Sequence, residues 1–133
     1  MTKKVIVLGA DNGYQDKVET TIKSICAHNR NLKFYVFNDD ISSEWFQLMS
    51  KRLEPLLSEI VNVKITNHSL RDYNLPLSHL SYAAFFRYFI PQFVKEDKAL
   101  YLDSDIIVRT NIDELFLEDI TDEIFKLTTN FFE

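Results

Sequence analysis

The sequence predicts an α/β fold with a doubly wound, mainly parallel sheet and helices on both faces. Residues 5–8 form a continuous apolar run of the kind found in central parallel strands. Strand-type and helix-type segments then alternate along the chain. The 133 residues, 46 % of them hydrophobic, can bury one core, and no Pro/Gly-rich linker or repeat divides them. We therefore expect a single domain over residues 1–133.

The first half of the chain predicts two strands and two helices. The apolar run at residues 5–8 ends in a turn-rich loop, and a helix is expected to begin near Tyr14. Residues 34–37 predict the second strand. Ser42 or Ser43 can cap the next helix, because a serine oxygen accepts from backbone N–H groups of the first turn. The apolar residues that define the two helices are Val18, Ile22, Ile25 and Cys26 in the first and Phe46, Met49, Leu53, Leu56 and Leu57 in the second.

The middle of the chain predicts a strand, a loop and a helix. Apolar residues at positions 61, 63 and 65 alternate with polar ones, which is typical of a strand. A polar loop follows at residues 67–77. A helix is then expected from residue 78 or 81 to Ile90, where Pro91 should stop it because proline lacks the backbone N–H that a helix needs.

The last third predicts shorter elements. Residues 99–102 predict the fourth strand, and residues 106–108 predict a short further strand. Asn111 can cap a turn that contains Leu115 and Phe116. The final stretch, residues 122–133, has a helical pattern only at its start.

Composition and charge limit the classes of function. A net charge of −5 argues against a nucleic-acid-binding surface. It leaves a nucleoside diphosphate possible, because a bound cation can reverse the local sign. The lone cysteine, Cys26, excludes an intrachain disulfide and fits a reducing compartment. The apolar run at residues 5–10 is too short for a signal peptide or a membrane span. We therefore expect a soluble cytoplasmic protein without a transmembrane segment.

Two carboxylates, Asp103 and Asp105, interrupt an apolar strand-type run at residues 99–108. A buried strand does not hold two charges without a neutralising partner, and a divalent cation is the simplest one. Asp oxygens are hard ligands that suit Mg²⁺ or Mn²⁺, which keep open positions for phosphate oxygens. The pair therefore suggests a metal-assisted site for a phosphorylated substrate. The structural alternative is a solvated turn at a strand end, since a chance Asp-x-Asp is common at this length.

A third acidic position, Asp11, follows the first predicted strand as Asp103 follows the fourth. In doubly wound sheets, ligands bind beyond the carboxyl ends of the strands, so these positions should converge on one edge. The chain has only two glycines, Gly9 and Gly13, so it contains neither a G-x-G-x-x-G fingerprint nor a P-loop. A bound nucleotide would therefore be held mainly by a metal ion and by side chains.

Three segments together resemble one family, the retaining glycosyltransferases of family 8, which have a GT-A fold and use a nucleotide sugar with Mn²⁺. Residues 10–14 (ADNGY) are similar to the family's A-D-x-x-Y after the first strand. Residues 79–87 (HLSYAAFFR) are similar to its His/Ser helix followed by Arg. Residues 101–108 (YLDSDIIV) are similar to its Y-L-D-x-D strand, with residues 112–116 (IDELF) behind it. The match runs from about residue 5 to residue 116.

The resemblance implies a metal-dependent, retaining transfer of a hexosyl group from a UDP-sugar donor to a glycan or glycoprotein acceptor. It implies that Asp103 and Asp105 bind Mn²⁺ or Mg²⁺. Ser104, between them, would meet the ribose through its backbone.

The other two segments imply contacts with the base and the sugar. Ala10 and Asp11 would bind the nucleotide sugar, Asp11 by accepting from the uracil N–H, and Tyr14 would stack on the base. Arg87 would neutralise the diphosphate or contact the donor sugar. His79 would lie on the sugar or acceptor side of the site.

The family's later segments are not found after Phe116, among them an H-x-x-G-x-x-K segment that completes the metal site and grips the diphosphate. We therefore expect a truncated, N-terminal, donor-binding portion of such an enzyme, in which no catalytic residue can be named. Loss of the cover on the sheet would expose apolar surface near Phe125, Phe131 and Phe132, and self-association would result.

Two other functions stay open. The first is a noncatalytic nucleotide-sugar-binding or scaffold protein that serves a partner enzyme. The second is a haloacid-dehalogenase-type phosphatase, because residues 100–107 (LYLDSDII) resemble that family's first motif, in which the first Asp is the nucleophile. That family carries the motif on its first strand, whereas Asp103 here follows the fourth.

Overall fold

The protein, described here by a computed structural model, forms an α/β sandwich over residues 2–10, 12–65 and 90–117. Within these ranges four parallel strands form one sheet in the order β3-β2-β1-β4. The strands are β1 (Lys4–Gly9), β2 (Leu32–Asn38), β3 (Glu59–Lys64) and β4 (Leu100–Leu102). The predicted α/β class and the four main predicted strands are confirmed.

Helices join these strands as the apolar periodicity predicts. The described helices are α1 (Gln15–Cys26), preceded by a 3₁₀ turn (Asn12–Tyr14), α2 (Ser43–Leu53), followed by a 3₁₀ turn (Glu54–Leu56), α3 (Ile90–Phe93) and α4 (Asp113–Leu117). Ser42 is the cap of α2, since its hydroxyl accepts from the Trp45 N–H at 3.3 Å. The prediction that the second helix includes Leu57 is wrong, because Leu57 adopts a left-handed conformation with φ of 58°.

Successive residues of the strands face two different cores, as the pleat of a sheet requires. Ile6, Leu8, Phe34 and Val36 pack with α1 and α2 on one face of the sheet. The opposite face carries a second buried cluster, in which apolar residues of the strands meet α3. The members of that cluster are Val5, Val7, Tyr35, Phe37, Val63, Ile65, Ile90 and Val94. Helices therefore cover both faces, as predicted.

The strand order places a topological switch point between β1 and β4. From β1 the chain moves through β2 to β3 on one side, and it then returns to add β4 on the other side. Leu8 of β1 is in register with Leu102 of β4, so the two strands end within one residue of each other. A crevice beyond the carboxyl ends of such strands is where open α/β sheets bind ligands.

A second prediction about the end of a helix is also wrong. The helix predicted to stop at Pro91 includes that residue, because α3 runs from Ile90 to Phe93. Proline removes only the bond that its own nitrogen would donate, and the Val94 N–H still donates to the Ile90 carbonyl at 2.8 Å.

Residues 106–108 form no strand, contrary to the prediction. Their backbone partners are side chains of α1: the Thr21 hydroxyl bonds the Ile106 carbonyl at 2.8 Å, and the Val108 N–H donates to Ser24 Oγ at 2.9 Å. The capping prediction for Asn111 is confirmed, since its Oδ1 accepts from the Asp113 N–H at 2.8 Å.

Several predictions fall outside the described residues. They include the helix that begins at residue 78 or 81, the pattern at residues 122–133 and the apolar surface near Phe125, Phe131 and Phe132. Across the part of the chain that the structure describes, no helix has both the length and the apolar character that crossing a membrane requires.

Candidate functional site

The candidate site begins where β4 ends. Leu102 is the last residue of the strand and is 2 % exposed, and the chain then turns at Asp103, Ser104 and Asp105. Both carboxylate residues are exposed. The apolar strand stops at Leu102, and Asp103 follows its end, as predicted. The turn therefore places two carboxylates, which are hard oxygen donors, at the switch point.

Ser104 anchors this turn to the end of β1. Its hydroxyl donates to the Gly9 carbonyl oxygen, which belongs to the last residue of β1. Its own carbonyl oxygen accepts from the Thr21 hydroxyl of α1 at 2.9 Å. The residue between the two carboxylates is thus fixed from the sheet and from the helix. The predicted contact between the ribose and the Ser104 backbone would therefore involve a backbone segment that these two hydrogen bonds hold in place.

Ala10 continues β1 and has a structural task. Its side chain is fully buried in the core with α1. Its backbone N–H donates to the Phe37 carbonyl of β2 at 2.8 Å. The Ala10 side chain is therefore part of the core, and its backbone hydrogen bond ties this end of β1 to β2.

Tyr14 lies at the same edge, in the turn that begins α1. The Tyr14 side chain is 41 % exposed, and the Lys17 ammonium lies 4.6 Å from the ring centroid. A ring in this setting can stack on a flat ligand, and the lysine adds positive charge beside it.

A cleft of about 400 Å³ separates the start of α1 from the segment after the acidic turn. The lining residues are Asp16, Lys17, Thr20 and Thr21 of α1 and Asp105, Ile106 and Ile107 of that segment. The cleft combines one cation with two carboxylates and apolar side chains. A volume of this size falls in the range that small ligands and cofactors occupy.

The two carboxylates of the turn fit a divalent cation that takes only a few of its ligands from the protein. Mg²⁺ in proteins is often bound by one or two carboxylates together with water and substrate phosphates, and Mn²⁺ suits the same oxygen ligands. Asp103 and Asp105 supply two such carboxylates. In the described ranges no cluster of three or more His, Cys, Asp or Glu residues could complete a closed metal cage. Asp11, His79 and Arg87, which were predicted to complete the site, lie outside the described residues.

Thr21 was missed at the sequence level although it contacts the turn directly. It is fully buried, and its hydroxyl reaches the carbonyl oxygens on both sides of Asp105. A signal was present, because Thr21 follows Val18 by three residues and therefore lies on the apolar face of α1. A polar residue on a buried helix face needs a hydrogen-bonding partner.

The comparison with known proteins decides the family. The model of glycosyl transferase family 8 matches residues 5–131. The chain belongs to this family. The resemblance seen in the three sequence segments is thereby confirmed, and the remote phosphatase hypothesis loses its support.

Three relatives illustrate the similarity to family 8. The glycosyltransferase GlyB of Streptococcus pneumoniae serotype 4 is 66 % identical over 116 residues, which are 87 % of this chain and 29 % of GlyB. The crystal structure of the glycosyltransferase GlyE of Streptococcus pneumoniae TIGR4 matches with a TM-score of 0.74 and 39 % identity over 90 % of this chain and 28 % of that one. The lipopolysaccharide 1,2-glucosyltransferase of Escherichia coli K12 is 33 % identical over 115 residues, 83 % of this chain and 33 % of that enzyme.

The structural match identifies the Rossmann-like sheet as that of the GT-A glycosyltransferase fold. The chain spans less than a third of the length of GlyB and of GlyE. The activity of a whole family 8 protein is therefore a matter for proposal.

Proposed function

We propose that this chain forms the donor-binding part of a metal-dependent glycosyltransferase. The enzyme would transfer a hexosyl group from a UDP-sugar to a glycan or glycoprotein acceptor, with retention of configuration. The observation that carries the proposal is the exposed turn at residues 103–105, placed by β4 beside the end of β1 in a family 8 protein. The glucosyltransferase named among the relatives supports a hexose as the transferred group.

Asp103 and Asp105 are the proposed ligands of Mn²⁺ or Mg²⁺. A divalent cation held there supplies Lewis-acid stabilisation of the leaving diphosphate. The protein's part is to hold two carboxylates at fixed positions without using all the coordination sites, so that phosphate oxygens can enter. The bonds from Ser104 to Gly9 and from Thr21 to Ser104 support this reading, because they fix the turn from its buried side.

The remaining contacts of the donor follow the same edge of the sheet. The exposed ring of Tyr14 is proposed to stack on the uracil, with Lys17 beside it as a positive charge. Asp11 is proposed to accept from the uracil N–H. Arg87 and His79 are proposed to contact the diphosphate and the sugar or acceptor side, and their roles rest on the family resemblance alone.

The test is calorimetric titration of UDP into the full chain, with Mn²⁺ and with EDTA. We expect binding that requires the metal in the wild type and that is lost in the double variant Asp103→Ala/Asp105→Ala. Glu114→Ala is the matched control, because this exposed carboxylate follows Asp113, which pairs with Lys4 at the opposite end of β1 at 2.6 Å. Equal affinity in Mn²⁺ and EDTA would refute metal dependence. Absence of UDP binding in the wild type would favour a scaffold role instead.

A further inference from the structure

Polar side chains of α1 and of the turn after it form a row of hydrogen bonds to the segment that follows the acidic turn. Three side chains make the row, and each bonds the backbone of residues 104–112. The Thr21 hydroxyl bonds the carbonyl oxygens of Ser104 (2.9 Å) and Ile106 (2.8 Å), Ser24 Oγ accepts from the Val108 N–H (2.9 Å), and the Asn29 amide bonds the Thr110 carbonyl (3.1 Å) and the Ile112 N–H (2.8 Å).

The contacted residues are every second residue from Ser104 to Ile112. An edge strand presents its backbone groups to a neighbour with this same period. Here side chains of α1 and of the turn after it supply such partners, although residues 106–108 belong to no strand. Since buried backbone groups need partners, the row fixes the path of the segment against α1.

We propose that Thr21 is a positioning residue for the donor site, which directs the Asp105 carboxylate by anchoring the carbonyl oxygens of Ser104 and Ile106 on either side of it. This inference rests on the proposed function. The two carbonyl oxygens that meet the Thr21 hydroxyl belong to the residues immediately before and after Asp105. The Ser104 carbonyl belongs to the peptide before Asp105, and the Ile106 carbonyl belongs to the second peptide after it. Anchoring both to one hydroxyl limits the backbone rotation between them, and the direction of the Asp105 side chain depends on that rotation.

The hydroxyl is not needed to attach α1 to the sheet. Val18, Ile22 and Ile25 already bury the helix in the core, and each is at most 1 % exposed. A valine at position 21 would keep the shape of threonine and add apolar surface. The buried hydroxyl carries a desolvation cost that an apolar residue would avoid. Its distinct contribution is therefore the orientation of the two carbonyls beside Asp105.

The experiment compares Thr21→Val, Thr21→Ser and Ser58→Ala in the full chain. Ser58→Ala is the matched control, because this buried hydroxyl also makes two bonds to backbone, from the Leu32 N–H and to the Leu56 carbonyl, both at 3.0 Å, and lies before β3 at the opposite edge of the sheet. The readouts are the dissociation constant of UDP with Mn²⁺ by calorimetry and the melting temperature of each variant.

Thr21→Val is expected to weaken metal-dependent UDP binding about tenfold or more, the usual effect of losing a group that orients a metal ligand. Thr21→Ser keeps the hydroxyl and should bind within about twofold of the wild type on the same reasoning. Ser58→Ala should lower the melting temperature and leave the dissociation constant unchanged. Should Thr21→Val fail to fold, the comparison of Thr21→Ser with Thr21→Ala isolates the hydroxyl.

The outcomes separate this inference from the proposed function. A wild type that does not bind UDP with Mn²⁺ overturns the proposed function and the inference together. A wild type that binds, with Thr21→Val binding equally well, overturns the inference alone. Weakened binding in Ser58→Ala to the same degree as in Thr21→Val would also overturn it, since a general loss of stability would then account for both.

Discussion

Removal of the Asn29 side chain should destabilise the fold strongly. Asn29 is 1 % exposed, and its amide makes three bonds: it donates to Ile25 O at 2.9 Å and Thr110 O at 3.1 Å, and it accepts from the Ile112 N–H at 2.8 Å. Asn29→Ala leaves the N–H of fully buried Ile112 without this partner. At about 1 kcal/mol for each bond, with the orphaned buried group at the upper end, we expect a loss of roughly 3 kcal/mol.

The assay is thermal and urea unfolding of the wild type, Asn29→Ala and Asn111→Ala. For a chain of this length, about 3 kcal/mol corresponds to a fall of about 10 °C in melting temperature. Asn111→Ala is the control, because this exposed residue also caps the start of α4 and donates to the His28 carbonyl at 3.2 Å. Loss of such an exposed cap should cost at most about 1 kcal/mol. Equal destabilisation by the two substitutions would refute the argument from burial.

Two further predictions concern titratable groups. Burial raises the pKa of the Cys26 thiol from 9.0 to about 11, against a weaker opposing effect of Arg30. At pH 8 a disulfide reagent should therefore react on the order of 100-fold more slowly with the folded chain than with the urea-unfolded chain, because only the thiolate reacts. Equal reaction rates for the two states would contradict this prediction. Burial acts to raise the pKa of Glu96, but hydrogen bonds from Lys33 and Tyr35 outweigh it and leave that pKa below 4.5. Because the pKa of Glu96 is lower in the folded state, its ionised form stabilises the fold at pH values above the pKa of the unfolded state. This stabilisation is lost as the pH falls through the pKa of the folded state. Glu96→Gln should therefore cost stability in urea at pH 7 and less at pH 3; a pH-independent difference would refute this.

Local patterns predicted most of the fold. The apolar runs of β1, β2 and β4 and the helical spacing in α1 and α2 each depend on neighbouring residues, which is why the sequence reveals them. The ends of elements were less predictable. Pro91 stays inside α3 because the surrounding backbone can form helical bonds that do not need its nitrogen, and this depends on context that a single proline does not carry.

The sequence predicted the position of the candidate site but not the hydrogen bonds that anchor its acidic turn. The rule that ligands bind beyond the carboxyl ends of strands predicted where Asp103 would lie, and the structure has the acidic turn at that edge of the sheet. The anchoring bonds to that turn come from residues 83 and 95 positions away, Thr21 and Gly9, and no periodicity encodes such contacts. Ala10 adds a feature that the motif did not indicate, because its side chain is fully buried in the core.

The short length of β4 gives the anchoring bonds their importance. β4 pairs with β1 only from Leu100 to Leu102, so the sheet itself does not hold the acidic turn. A site that binds a metal through exposed carboxylates needs them accessible on one side and fixed on the other, because loose ligands lose affinity. The Ser104 bond to Gly9 and the row that begins at Thr21 provide the fixed side. The switch point thus combines two exposed carboxylates with a backbone held from its buried side, which is the arrangement that the proposed donor site would require for a removable metal and substrate.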